Sequence, residues 1–250
     1  MKKLFKVIIF ILFFLIFIFL LKYKFSKKEA PTNTLDNTQT ENTITNEIFE
    51  VVLNEDSAVE IRKEIDDWRI TLVNFEHSLP ENYELNLTKI DKYREVDSRI
   101  INELNQMLDD MKKDNINNAW VQSAFRSVDY QSEVYNEKIN EYMQNGENLE
   151  NAEMLTQKTI NKPGTSEHNL GLAIDFNYVN YDFDKTPAYK WLEENAENYG
   201  FILRYRKDKE NITKVDYEPW HWRYVGVEHA KTINNLDMCL EEYIEYLSLK

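Results

Sequence analysis

Two short stretches set the strongest demand on any fold this chain can adopt: Ser166–Asp175 (SEHNLGLAID) and Glu218–His221 (EPWH). From Leu170 to Tyr178 the first reads as a strand. Leu172, Ile174 and Phe176 take one face, and Gly171, Ala173 and Asp175 the other. The second opens an apolar run over 220–225 that also reads as a strand. A lone Asp on a strand is ordinarily a surface residue, but the face around Asp175 is otherwise bare or apolar, so its burial requires a partner. His221 stands between Trp220 and Trp222, where an imidazole needs a hydrogen bond or a metal. His168 alone would be unremarkable. Together, His168, Asp175 and His221 match the three protein ligands of a catalytic zinc site that keeps one position open. Glu218 is then the candidate proton acceptor. Strict alternation puts Glu218 and His221 on opposite faces, so Pro219 must interrupt the ladder if both serve one site.

Two histidines and a carboxylate also describe the facial site of non-haem iron oxygenases. Those sites usually place His and carboxylate one residue apart, whereas here the six residues 169–174 intervene. A Glu three positions before the last His also suits hydrolysis better than oxygen chemistry.

The surrounding text predicts helices over 97–111, 130–142, 149–160, 188–199 and 227–247, and strands over 119–125, 170–178, 201–205 and 220–225. Long irregular connections and the lack of regular βαβ spacing point to an α+β domain over 70–250, with a mainly antiparallel central sheet flanked by helices.

Val7–Leu21 is unbroken apolar sequence with lysines at both ends. Fifteen residues make about 22 Å of helix, and snorkelling Lys6, Lys22 and Lys24 extend its reach toward the roughly 30 Å hydrocarbon core. A cleaved signal peptide looks similar but needs small residues at its cleavage site, and Lys22-Tyr23-Lys24-Phe25 supplies none. The expectation is an N-terminal transmembrane anchor over 1–25, a polar Asn- and Thr-rich tether over 26–47, and a lead-in over 48–69. Seven of the chain's 30 basic residues flank the apolar run, which leaves 23 against 44 acids in residues 29–250. A body that acidic argues against nucleic-acid binding. Cys239 is the chain's single cysteine, so neither a disulfide scaffold nor a Cys-rich zinc site is available.

Ser-x-His-x-x-Gly-x-Ala-x-Asp at 166–175, followed by Glu-x-Trp-His at 218–221 and Arg223-Tyr224-Val225-Gly226, resembles the VanY-type D-alanyl-D-alanine carboxypeptidases, zinc peptidases of the bacterial cell wall (peptidase family M15). Leu72-Val73-Asn74, Leu79-Pro80, Asp97-Ser98-Arg99, Ser123-Ala124-Phe125-Arg126-Ser127 and Gln131 also fit; Phe125 replaces a Tyr common there. The resemblance implies that His168, Asp175 and His221 hold Zn²⁺ and that Glu218 is the catalytic base and acid. It implies that Arg126 and Gln131 recognise substrate and polarise the reacting carbonyl, and that Ser166 and Tyr205 lie near the terminal D-alanine. Arg223 shares a face with His221 and is expected to orient a supporting group. The implied partners are peptidoglycan stem peptides, and the implied location is the bacterial membrane, with the catalytic domain on the wall side. An L,D-carboxypeptidase, a dipeptidase or endopeptidase of the same fold, and a catalytically silent wall-binding module remain alternatives.

Overall fold

The structure, a computed structural model, describes residues 67–249. The expected anchor, the tether and residues 48–66 of the lead-in lie outside the described residues. Among the described residues no helix is long and apolar enough to cross a membrane.

A short 3₁₀ turn, Trp68–Ile70, is capped by Asp67, whose carboxylate accepts the Arg69 N–H. A small hairpin follows, β1 (Leu87–Lys89) antiparallel to β2 (Glu95–Asp97). Sequence reading missed it, because three-residue strands carry almost no periodicity. Helix α1 (Ile101–Lys113) presents Leu104, Met107 and Met111 to the core, with Lys112 and Lys113 at its negative C-terminal end. Strand β3 (Val121–Ser123) leads to α2 (Val128–Gln144), whose N-cap Ser127 accepts the Tyr130 N–H. Helix α3 (Leu149–Gln157) packs on α2 around Tyr135, Ile139 and Ala152. After a buried 3₁₀ turn, Glu167–Leu170, come β4 (Ala173–Phe176) and α4 (Pro187–Asn195), which starts with Thr186 as cap and proline in its first turn. The chain continues through β5 (Phe201–Leu203), the one-turn α5 (Glu210–Thr213), β6 (His221–Tyr224), α6 (Val227–Asn235) and α7 (Leu240–Ser248).

The four longer-range strands form one fully antiparallel sheet in the order β3-β4-β6-β5. With the helices around it this is the expected α+β architecture. The predicted final helix is two: α6 and α7 are separated at 236–239, where Asp237 adopts a left-handed φ of 55° and Cys239 becomes the buried N-cap residue of α7. Apolar periodicity runs through both helices and does not register the break.

The sheet has two unlike faces. Leu172, Ile174, Phe176, Trp222, Tyr224 and Phe201 pack with α1 and α4 into the main core. On the reverse face register places Ser123, Asp175 and His221 in one cross-strand row, with Ala173, Arg223 and Ile202 in the next. Apolar residues of α6 and α7 cover Ile202. The chemistry therefore lies on the centre strands of a sheet whose other side is solid core.

Candidate metal centre and catalytic cleft

His168, Asp175 and His221 converge as the sequence demanded. Their potential ligand atoms lie within 4.8 Å of one another, and all three residues are buried. Antiparallel register sets Asp175 directly opposite His221. His168 arrives from the 3₁₀ turn before β4, where the Ser166 hydroxyl accepts its backbone N–H at 3.3 Å. Gly171 then turns the chain into the strand with φ of +71°. A Cβ there would stand 2.9 Å from the backbone nitrogen of Asp97, so a close approach as well as the left-handed backbone favours glycine.

Each imidazole is fixed by a different nitrogen. His168 holds Nδ1 2.6 Å from the Ala124 carbonyl and turns Nε2 to Asp175 Oδ2 at 3.2 Å. His221 does the reverse, with Nδ1 3.0 Å from Asp175 Oδ1 and 3.7 Å from Glu218 Oε2. The Ala124 carbonyl accepts only a protonated nitrogen, which leaves Nε2 of His168 with a free lone pair. Among the described residues that buried Nε2 has no hydrogen-bond partner, and with its lone pair turned to Asp175 it is available to ligate a metal. The donor set of two imidazoles and one carboxylate fits zinc.

Glu218 also meets the geometric demand placed on it. The regular strand begins only at His221. Residues 219–220 form a turn in which the His221 N–H donates to the Glu218 carbonyl at 3.1 Å. Pro219 thus breaks the alternation, and Glu218 and His221 both line one cleft of about 850 Å³ together with Asp175 and Arg126.

Electrostatics separates the groups. Burial, with Arg126 nearby, lowers His168 to about 4 and keeps it neutral. Burial also opposes charge on His221, but Asp175, Glu167 and Glu218 outweigh it and raise the ring to about 9. Burial pushes the Glu218 carboxyl up to about 8, aided by Asp175 and Asp216 and resisted by His221 and Arg126. Asp175 is also buried, yet the two imidazoles hold it far below the usual carboxylate range.

The other expected site residues are distributed less simply. Arg126 is tied by its backbone to the metal turn: its N–H donates to the His168 carbonyl at 3.1 Å and its carbonyl accepts from Asn169 Nδ2 at 2.7 Å. Its side chain lines the cleft, and its Nε is buried without a partner. Gln131 is fully buried on the inner stripe of α2 and donates to the Asn161 carbonyl at 2.6 Å. Ser166 is buried, with its hydroxyl used as the cap described above. Tyr205 is buried too; its ring lies 4.8 Å from that of His221 and its hydroxyl accepts from Asn161 Nδ2. Of these four, Arg126 alone lines the cleft. His77 is exposed, and His229 is buried against Tyr243.

Sequence reasoning missed Glu167. A lone Glu reads as surface, yet this one is fully buried beneath His221 and gripped by Arg204 and Arg223. The available signal was Arg223 itself. A guanidinium sharing the His221 face of an apolar strand needs an acid, and the only acid inside the first motif besides Asp175 is Glu167.

A family model described as VanY, D-alanyl-D-alanine carboxypeptidase, matches residues 93–227. The D-alanyl-D-alanine carboxypeptidase of Enterococcus faecalis is 38% identical over 178 residues, covering 71% of this chain. The match spans 66% of that relative, just under two thirds of its length. Among solved structures, a vancomycin-resistance D,D-pentapeptidase VanY in complex with Zn(II) is 37% identical with a TM-score of 0.65, covering 71% of this chain and 99% of that one. VanYB in complex with D-alanine-D-alanine is likewise 37% identical, with a TM-score of 0.66 and coverage of 72% and 98%.

Proposed function

This chain belongs to the VanY family of D-alanyl-D-alanine carboxypeptidases, and from that premise we propose that it hydrolyses the terminal D-alanine from peptidoglycan stem peptides with the help of zinc. The observation that carries the reading is the convergence of His168, Asp175 and His221, the last two lining a cleft together with Glu218 and Arg126. His168 and His221 would bind through Nε2 and Nδ1, the nitrogens that face Asp175. When bound, zinc supplies Lewis-acid polarisation of the scissile carbonyl and acidifies a water.

The remaining chemistry belongs to the chain. The Glu218 carboxylate takes the proton of the attacking water and returns it to the leaving amine of D-alanine. In the metal-free chain burial raises its affinity for protons, which favours the proton-accepting step. The Arg126 guanidinium, with Nε unpaired at the cleft wall, serves the developing oxyanion or the substrate's terminal carboxylate. Gln131, Ser166 and Tyr205 act from beneath: Gln131 and Tyr205 both bond Asn161, and Ser166 shapes the turn that presents His168. No covalent intermediate is required, so no nucleophilic serine is assigned.

The same reading places the chain at the bacterial membrane, held by a single span over 1–25, with the tether over 26–47 giving the catalytic domain reach along the inner face of the wall. The lysine-flanked apolar run Val7–Leu21 supports the membrane span.

The test is a mass-spectrometric assay of the purified chain on a stem pentapeptide ending in D-Ala-D-Ala and, separately, on the tetrapeptide. Loss of one alanine from the pentapeptide, abolished by chelation and restored by zinc, is expected. Glu218→Ala should retain zinc and lose turnover. Cleavage of the tetrapeptide alone would move the substrate to the L,D bond, and full activity in Glu218→Ala would overturn the proton-transfer role.

A further inference from the structure

The ring of His221 has two nitrogens and the mechanism uses one. Its other nitrogen, Nε2, is buried and makes no hydrogen bond within normal limits; the same holds for Oε2 of Glu167. These two orphaned atoms face each other at 3.5 Å. Among the described residues no other partner reaches either of them, and a small rotation of the ring closes the gap.

The rest of Glu167 is fixed from behind. Its Oε1 accepts from Arg204 Nε at 2.7 Å and from Arg223 Nη1 at 2.9 Å. Every nitrogen of the two guanidinium groups has a partner. Arg223 spends Nε on the Tyr224 carbonyl at 2.9 Å and Nη2 on the carbonyls of Arg69 and Thr71, both at 3.0 Å. Arg204 gives Nη1 and Nη2 to Glu241 of α7 at 2.9 and 2.6 Å. Both cations therefore hold one oxygen of Glu167 and leave the other aimed at His221.

We infer that Glu167 is the positioning residue of His221: it accepts the Nε2 proton, locks the ring, and leaves the Nδ1 lone pair directed at the metal site. The arrangement mirrors His168, where a backbone carbonyl does the same service for the opposite nitrogen. A carboxylate behind a metal-binding imidazole both selects the tautomer and raises the basicity of the ligating nitrogen. A mere counter-ion to two arginines would need no free oxygen facing an unpartnered N–H. This inference rests on the zinc reading but not on the identity of the peptide substrate.

Glu167→Gln isolates the role. An amide that turns its oxygen to His221 points its NH₂ at two guanidinium groups; an amide that turns its oxygen to the arginines offers a second donor to Nε2–H. The ring then relieves the conflict only by shifting its proton to Nδ1, which removes the ligand lone pair. Zinc affinity of the full chain, measured by competition with a chromophoric chelator, is expected to fall about 10- to 100-fold. Glu241→Gln weakens the same buried network without touching His221, and is expected to lower the melting temperature while leaving zinc affinity within about threefold of wild type, well short of that loss. Unchanged affinity in Glu167→Gln, or an equal loss in Glu241→Gln, would overturn the inference.

A second measurement needs no variant and so does not depend on Glu167→Gln folding. In the cadmium-substituted, nitrogen-15-labelled wild-type chain, metal–nitrogen coupling should appear at Nδ1 of His221 and Nε2 of His168; coupling at Nε2 of His221 would sink the proposal. Zinc binding without cleavage of any stem peptide would defeat the substrate assignment and leave the role of Glu167 intact. A wild-type chain that binds no zinc would end both.

Discussion

Gly171→Ala probes the joint on which the whole site turns. The residue follows the 3₁₀ turn that carries His168 and precedes the strand that carries Asp175. Two separate costs are expected. Holding alanine in the left-handed region costs about 1–2 kcal/mol. The added methyl would also lie 2.9 Å from the backbone nitrogen of Asp97, which cannot move freely. Asp97 is wholly buried, its N–H donates to the Gly171 carbonyl at 3.0 Å, and its carboxylate accepts from Arg99 Nε and Nη2 at 2.8 and 2.6 Å. Forcing a methyl into such a contact adds about 1–3 kcal/mol. Gly164 supplies the control: its φ is +77°, but a Cβ there meets nothing within 4 Å. Gly164→Ala should therefore show the backbone cost alone. With a urea slope of about 2 kcal/mol/M, the chelated Gly171→Ala chain should unfold roughly 1–2.5 M earlier than wild type, and Gly164→Ala about 0.5–1 M earlier. Equal shifts at the two glycines would refute the argument that contact with Asp97, and not left-handed backbone alone, fixes glycine at 171. Zinc affinity should fall with Gly171→Ala and hold with Gly164→Ala.

Three further outcomes follow from the same geometry. Arg204→Met leaves the buried Glu167 and Glu241 carboxylates short of a partner; a loss of about 3–5 kcal/mol, or roughly 6–20 °C in melting temperature, is expected. Arg206→Met, which breaks only exposed pairs with Asp208 and Asp237, should cost about 0–1 kcal/mol. In the metal-free protein Glu218 keeps its proton to about 8 against 4.5 ordinarily, so its contribution to stability is complete below 4.5 and is lost as the pH rises through 8. Thermal melts of chelated Glu218→Gln and wild type should therefore nearly coincide at pH 5, with the variant gaining on wild type by pH 9; a constant difference would contradict the raised carboxyl. Finally, adding zinc at about a thousand times its dissociation constant should stabilise the chain by about 4 kcal/mol over the chelated form, and a melt insensitive to zinc would refute a metal site in the folded core.

Much of the site could be read before the fold, because its constraints are local and chemical. Asp175 on a strand face of small residues, and His221 flanked by tryptophans, each announced a buried polar group that needed a partner. The break at Pro219 followed from the parity of strand alternation, and the turn at 219–220 satisfies it. Long periodic elements such as α1 and α2 were visible for the same reason. What periodicity cannot encode was missed. The β1–β2 hairpin is too short to alternate, and the division between α6 and α7 rests on the backbone of Asp237 within one continuous apolar pattern. Glu167 escaped because burial of a charged residue depends on partners far along the chain, and the resemblance that named Tyr205 did not carry its burial. Glu167 is paid for by Arg204 and Arg223, and Tyr205 meets Asn161 at its hydroxyl.

His221 is flanked by two buried glutamates, and the contrast between them explains how one fold assigns opposite tasks to the same side chain. Glu167 is desolvated, but Arg204 and Arg223 more than offset that cost and hold it ionised far below the usual range. Glu218 is desolvated in the same protein with only Arg126 and His221 to oppose the effect, while the Asp175 and Asp216 charges reinforce it. In the metal-free chain the first is thereby a permanent acceptor and suits fixing a ring; the second holds protons more tightly than an ordinary carboxylate and suits accepting one. Sequence neighbours do not decide this. Arg204 sits in the loop after β5 and Arg223 at the third position of β6, and it is the antiparallel register of the sheet that delivers both cations to the same side of His221 and neither to the other. When two titratable groups sharing one site are driven apart in this way, the environment makes the acid–base assignment. The division of labour between Glu167 and Glu218 is thus a property of the sheet.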